Sequence, residues 1–181
     1  MNKKGISLIS YGQFEKEFLE KIASDVETEF ELPVLLSKRH VDISIYFNPS
    51  RRQYDANQLL KLIDSESKPK VLKTIGLFHV DLFIPILTFI FGQAVFNGNI
   101  GIVSNYRLKN EQYGLPGDKL LLFERFRKVI IHELGHTFGL IHCHVPSCVM
   151  RSTTYVEEID QKKYSFCNKC QRELKLLISV V

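Results

Sequence analysis

Eleven consecutive residues carry the chemistry of this chain: His132-Glu133-Leu134-Gly135-His136-Thr137-Phe138-Gly139-Leu140-Ile141-His142. A helix turns by about 100° per residue, so His132 and His136 fall on one face, one turn apart. Gly139 can take the positive φ that ends a helix, which frees His142 to leave the helical path and supply a third imidazole. Three imidazoles with one open position are the donor set of a hydrolytic zinc site. Glu133 follows the first ligand and is free to accept a proton from metal-bound water as that water attacks a carbonyl. It can then return the proton to the leaving amine. A His-x-x-x-His pair alone is often two surface histidines. Here Glu133, Gly135, Gly139 and His142 stand at fixed offsets around the pair, and that combination points to metal.

These residues need a frame. Asp118 is a good N-cap for a helix running from Lys119 to Leu140, with Leu122, Phe126, Val129 and Ile130 towards the core. A first strand is expected over Ile6 to Ser10. A helix is expected over Gln13 to Phe30, where Phe14, Phe18, Ile22, Val26 and Phe30 recur every fourth residue before Pro33. Val34 to Leu36 and Val41 to Phe47 read as strands, the second from its alternation of Val41, Ile43, Ile45 and Phe47 with polar residues. Asp55 to Ile63 reads as a short helix and Asp64 to Lys70 as a polar loop. Val71 to Ile84 holds a buried strand, and Phe89 to Tyr106 holds another interrupted at Asn97-Gly98-Asn99. Regularity is lost after Gly139 until a closing helix over Cys170 to Val180. The fold class is α+β, or mixed α/β: one domain over 1–181, with an N-terminal lobe of 1–139 and a C-terminal lobe of 140–181. A metal at their junction would lie where clefts commonly form.

Composition narrows the class of function. A net charge of +4 spread over 181 residues gives no footprint for nucleic acid. Arg51-Arg52 and Lys68-Pro69-Lys70 read as solvated basic spots. The apolar run from Leu82 to Phe96 is broken by Pro85 and Gly92-Gln93 and is too short to span a membrane. Met1 to Lys4 carries the charge of a signal peptide, but Gly5 to Ser10 is too short for its apolar core. The expectation is a cytoplasmic monomer. In that compartment four cysteines favour metal over disulfides.

The motif His-Glu-x-x-His-x-x-Gly-x-x-His, followed by Met150 eight residues after His142, resembles the metzincin clan of zinc peptidases. In that clan the methionine forms an apolar floor beneath the metal. Cys143, Cys148, Cys167 and Cys170, placed around the third histidine and the methionine, make the chain similar to the archaemetzincin family. Asp81-Leu82, Phe91-Gly92-Gln93-Ala94 and Ser104 to Leu108 extend the resemblance upstream. It implies a twisted mixed sheet with a backing helix and an active-site helix, plus a small zinc-bound C-terminal lobe. It also implies a second, structural zinc on the four cysteines. Their spacing independently suits a closed tetrahedral site, with a redox pair at Cys167 and Cys170 as the alternative. Adjacent side chains diverge, so His142 and Cys143 should serve different metals.

The expected function is therefore a zinc metallopeptidase, hydrolysing peptide bonds by Glu133-assisted attack of zinc-bound water, with aminopeptidase-type action on short peptides as one form. The alternative is a non-catalytic, zinc-stabilised module that binds a peptide or protein partner. By the same resemblance, the strand around Phe96 to Ser104 is the expected sheet edge for a peptide substrate, its glycines giving room for the substrate backbone. Some metzincin branches place a tyrosine two residues after the methionine. Here Ser152 stands there, and Tyr155 is nearby. His144, His40 and His79 read as surface or structural histidines, and Asp81 as a turn former.

Overall fold

The structure, a computed structural model, describes residues 5–67 and 71–180. Met1 to Lys4 and the basic pair Lys68 and Lys70 lie outside the described residues. A five-stranded sheet has the order β2 (Val34–Arg39), β1 (Ile6–Tyr11), β5 (Lys73–Phe78), β9 (Ile100–Ser104), β8 (Gly92–Ala94). The first four strands run parallel and β8 is antiparallel to β9. A parallel sheet is covered on both faces. Ile6, Leu8, Ile75, Leu77 and Val103 face α1 (Lys16–Phe30) and α3 (Lys119–Phe138). Ile9, Tyr11, Phe78, Ile100 and Ile102 face α2 (Ala56–Glu66) and a second sheet. Each fully buried Ile, Leu or Phe contributes roughly 1.5–3 kcal/mol.

The second sheet is not visible in the residue pattern. Its four strands, β3 (Phe47–Asn48), β4 (Gln53–Asp55), β6 (Leu82–Ile84) and β7 (Leu87–Ile90), are too short to carry alternation. The expected strand at Val41 to Phe47 is mostly absent. The Asp42 carboxylate accepts from the Ser44 N–H at 2.9 Å, and a 3-10 turn follows over Ser44–Tyr46. A local side-chain bond thus competes with the ladder that alternation suggests. Phe89 to Tyr106 is likewise not one interrupted strand. It is the end of β7 followed by the β8–β9 hairpin, with Asn97-Gly98-Asn99 in the connection.

Helix α3 carries the motif and is buried on most sides. Asp118 caps it by accepting from the Leu121 N–H at 2.9 Å. Besides its apolar residues it buries Arg125, Arg127 and Lys128. Arg125 forks onto Asp160 at 2.8 and 2.7 Å, Arg127 reaches Asp25, and Lys128 donates to the Ile159 carbonyl. These bonds tie α3 to α1 and to α4 (Val156–Gln161), a six-residue helix inside the stretch expected to be irregular. The chain closes with α5 (Asn168–Ser179). Residues on both sides of Gly139 share one core, in which Phe126, Leu134, Val149, Met150, Ile159 and Leu174 are all buried. Among the described residues no helix is long and apolar enough to cross a membrane.

Candidate metal centres and the cleft

The ring nitrogens of the three motif histidines converge. Nε2 of His136 lies 3.1 Å from Nε2 of His132 and 3.2 Å from Nε2 of His142. Helix α3 supplies the first two. Gly139, at φ 103°, ends the helix, its N–H donating back to the Gly135 and His136 carbonyls, and the chain leaves towards His142.

The second nitrogen of each helical ring is spoken for. His132 Nδ1 is 2.8 Å from the Val149 carbonyl oxygen, and His136 Nδ1 is 2.8 Å from that of Leu140. A carbonyl oxygen only accepts, so each Nδ1 carries the proton and each Nε2 presents a lone pair. Burial lowers the pKa of all three histidines, His132 most strongly, and Lys162 adds to this at each. Three imidazoles whose Nε2 atoms meet at one point, with burial opposing their protonation, are a donor set that would hold a cation. Zinc–nitrogen bonds of about 2.0–2.1 Å in a tetrahedron place the nitrogens about 3.3 Å apart, close to what is seen.

Glu133 is buried beside this group. Burial pushes its carboxyl up to about 8, with Lys162 pulling the other way. Room for it comes from Gly92, where a Cβ would lie 2.8 Å from the Ile102 carbonyl oxygen and 2.9 Å from Glu133 Cγ. Met150 is fully buried under the motif, and a Cβ at Gly135 would lie 2.5 Å from its sulfur. Both motif glycines that flank the second histidine thus have physical work: one ends the helix and the other admits the methionine.

The four cysteines gather separately, their sulfurs all within 4.8 Å of one another. Cys143 Sγ and Cys167 Sγ are 3.8 Å apart, far beyond a disulfide's ~2.05 Å. It equals the edge of a tetrahedron with zinc–sulfur bonds of about 2.3 Å. Burial pushes the Cys148 and Cys170 thiols up. It opposes ionisation of Cys167 too, but hydrogen bonds from the Cys170 N–H and the neighbouring thiols outweigh it and hold Cys167 at about 7. Such a set ionises together only around a dication. His144 joins neither group.

A cleft of about 610 Å³ opens over the histidines. It is lined by the continuous run Leu87 to Ala94 and by Ser152 to Tyr155. The sheet edge here is therefore β8, not Phe96 to Ser104, because β9 is enclosed between β5 and β8. The glycines of that expected edge serve internal packing: a Cβ on Gly98 would meet Val95, and one on Gly101 would meet Ile75 and Gln93. The cleft also holds Lys162, which the sequence hides in a charged run, Asp160 to Lys163, that reads as solvated surface. His79 is held by Asn105 and Gln13, and Asp81 by Arg107 and Gln53, so neither takes part in the cleft.

Known proteins match nearly the whole chain. The sequence model of peptidase family M54 matches residues 11–176. An archaemetzincin of Methanocaldococcus jannaschii is 36% identical over 166 residues, covering 91% of this chain and 89% of that one. An archaemetzincin of Saccharolobus solfataricus is 32% identical over 179 residues, covering 98% and 96%. The crystal structure of archaemetzincin from Methanopyrus kandleri superposes with a TM-score of 0.84 at 30% identity, over 98% of this chain and 97% of that one.

Proposed function

The chain belongs to peptidase family M54, the zinc metallopeptidases named archaemetzincins, and from that premise we propose that Glu133 is its general base and His132, His136 and His142 its catalytic zinc ligands. The observation that carries this reading is the convergence of three imidazole Nε2 atoms in a cleft that the buried Glu133 also lines. A zinc ion held there supplies a Lewis acid that polarises a carbonyl and acidifies water.

The remaining steps belong to the chain. The Val149 and Leu140 carbonyls fix the tautomer and tilt of the first two imidazoles. Glu133 takes the proton of the attacking water on a carboxylate oxygen and delivers it to the leaving nitrogen. Positive charge beside it favours the ionised carboxylate that the first transfer needs. Strand β8, which pairs with β9 alone, offers its outer edge to an extended peptide by β-augmentation, holding the scissile carbonyl over the histidines. We assign Cys143, Cys148, Cys167 and Cys170 to a structural zinc and place the chain in the metzincin clan, with Met150 as the floor. The cleft would then lie between lobes 1–139 and 140–181. Four cysteines gathered at one site and not joined as disulfides fit a reducing compartment, the cytoplasm.

Two zinc ions per chain are the expected content. The histidine site keeps an open position and should yield its ion to a chelator first, and peptide hydrolysis should fall in step with that first loss. Hydrolysis that survives removal of both ions contradicts the proposal. Gly92→Ala supplies a structural check. Its Cβ meets a backbone oxygen that cannot move cheaply, so Glu133 must shift. Misplacement of a catalytic group by about 1 Å costs on the order of 10²-fold. Hydrolysis should fall by that order with zinc content unchanged, and wild-type rates would show that Gly92 does not position the base.

An aminopeptidase must also hold the substrate's free ammonium. Among the described residues lining the cleft, Glu133 is the one carboxylate, and it is already engaged as the base.

A further inference from the structure

Resting on the peptidase reading of this cleft, we infer that Lys162 is a specificity residue that recognises a carboxylate on the substrate, either the C-terminal carboxylate or an acidic side chain close to the scissile bond. Lys162 is 3% exposed and lines the cleft with His132, Glu133 and Tyr155. Its ammonium donates to the Val149 and Arg151 carbonyls, each at 2.9 Å. These two bonds bracket Met150 and hold the charge rigidly. An ammonium has three N–H donors, and among the described residues the third has no acceptor.

A buried cation normally sits against a carboxylate. Lys162 forms no ion pair among the described residues, and the acid that interacts with it, Glu133, is engaged as the base. Among the described residues lining the cleft Lys162 is the one ammonium, and its hydrogen bonds run to backbone carbonyls, not to a carboxylate. An anionic group on the substrate supplies the missing partner and the third acceptor, and a charge-assisted bond in so dry a place is stronger than at the surface. A substrate ammonium would meet repulsion there. The chemistry thus favours carboxylate-bearing peptides over amino-terminal recognition.

The test compares peptides of one neutral sequence in three forms: free C-terminal acid, C-terminal amide, and amide with one Asp or Glu placed at each position in turn. Binding is measured on zinc-loaded Glu133→Gln protein, and cleavage on wild type by mass spectrometry. At least tenfold tighter binding of one carboxylate form over the neutral amide is expected. Which form gains identifies the source: the free acid for the terminus, an acidic residue at one position for a side chain. Lys162→Met should abolish the preference, and Lys162→Arg, which keeps the charge, should retain it. Equal binding of all forms overturns the inference, as does a preference that survives in Lys162→Met. Cleavage of all forms at equal rates would overturn it while leaving the peptidase reading intact. Preferential binding with no cleavage of any form would do the reverse. If Lys162→Met does not fold, the comparison of the neutral amide with the free acid and with each Asp- or Glu-bearing amide, on protein with Lys162 intact, still decides: equal binding of all of them overturns the inference.

Discussion

Replacing Cys167 and Cys170 together by serine should loosen the C-terminal segment and weaken the histidine site, although neither cysteine touches a histidine. Structural zinc on thiolates contributes on the order of 10 kcal/mol of apparent binding free energy that is also folding free energy. A domain's whole stability is only about 5–15 kcal/mol. The route to the histidines is a short series of bonds. The Cys167 N–H points to Cys148 Sγ at 3.4 Å, and the Val149 N–H donates to the Ser165 carbonyl at 3.1 Å. The Cys143 N–H donates to the Met150 carbonyl at 2.9 Å, and the Val149 carbonyl accepts from His132 Nδ1. His142 is covalently next to Cys143. Loss of the sulfur site therefore frees the backbone that orients the first ligand and the backbone that presents the third. Partners of this orienting kind are worth about 10- to 100-fold in metal affinity. The double variant should hold fewer than one zinc per chain at concentrations where wild type holds two, with increased amide exchange over 143–170. Wild-type affinity at the histidine site would show that the two centres are uncoupled.

The site was legible because its chemistry is local in sequence. Spacing by four on a helix, a glycine at the helix end and a Cys-x-x-Cys pair have fixed consequences for where side chains go, whatever the rest of the chain does. The glycine at Gly135 was legible only as a motif position. Its cause, the Met150 sulfur, arrives from a distant turn. The long strands and helices were legible for the same reason: β1, α1, α2, α3 and α5 carry their period over enough residues to be read.

The second sheet was not, since strands of two to four residues have no period. Val41 to Phe47 had a period, but Asp42 spent its side chain on the Ser44 N–H and the alternation led to no strand. The edge strand was displaced from Phe96–Ser104 to Gly92–Ala94 because edge and interior strands differ only in what lies beside them, and pairing is a long-range fact. Lys162 was hidden most completely. A lysine among Asp160, Gln161 and Lys163 reads as surface, and only the two carbonyls around Met150 turn it inward.

Glu133→Gln tests the centre of the account most directly. Glutamine keeps the size and shape of the side chain and leaves the His132, His136 and His142 donor set untouched, so zinc should stay at the wild-type level. It cannot accept the proton of the attacking water. General acid–base catalysis is worth about 10²–10⁴-fold, and one carboxylate here serves both transfers, so the upper part of that range is expected. The measurement is the rate of peptide cleavage by zinc-loaded Glu133→Gln protein against wild type, with zinc per chain determined on the same samples. A loss of roughly 10³-fold or more at equal zinc is the predicted result. Cleavage at the wild-type rate by a fully loaded, folded Glu133→Gln protein would contradict the mechanism.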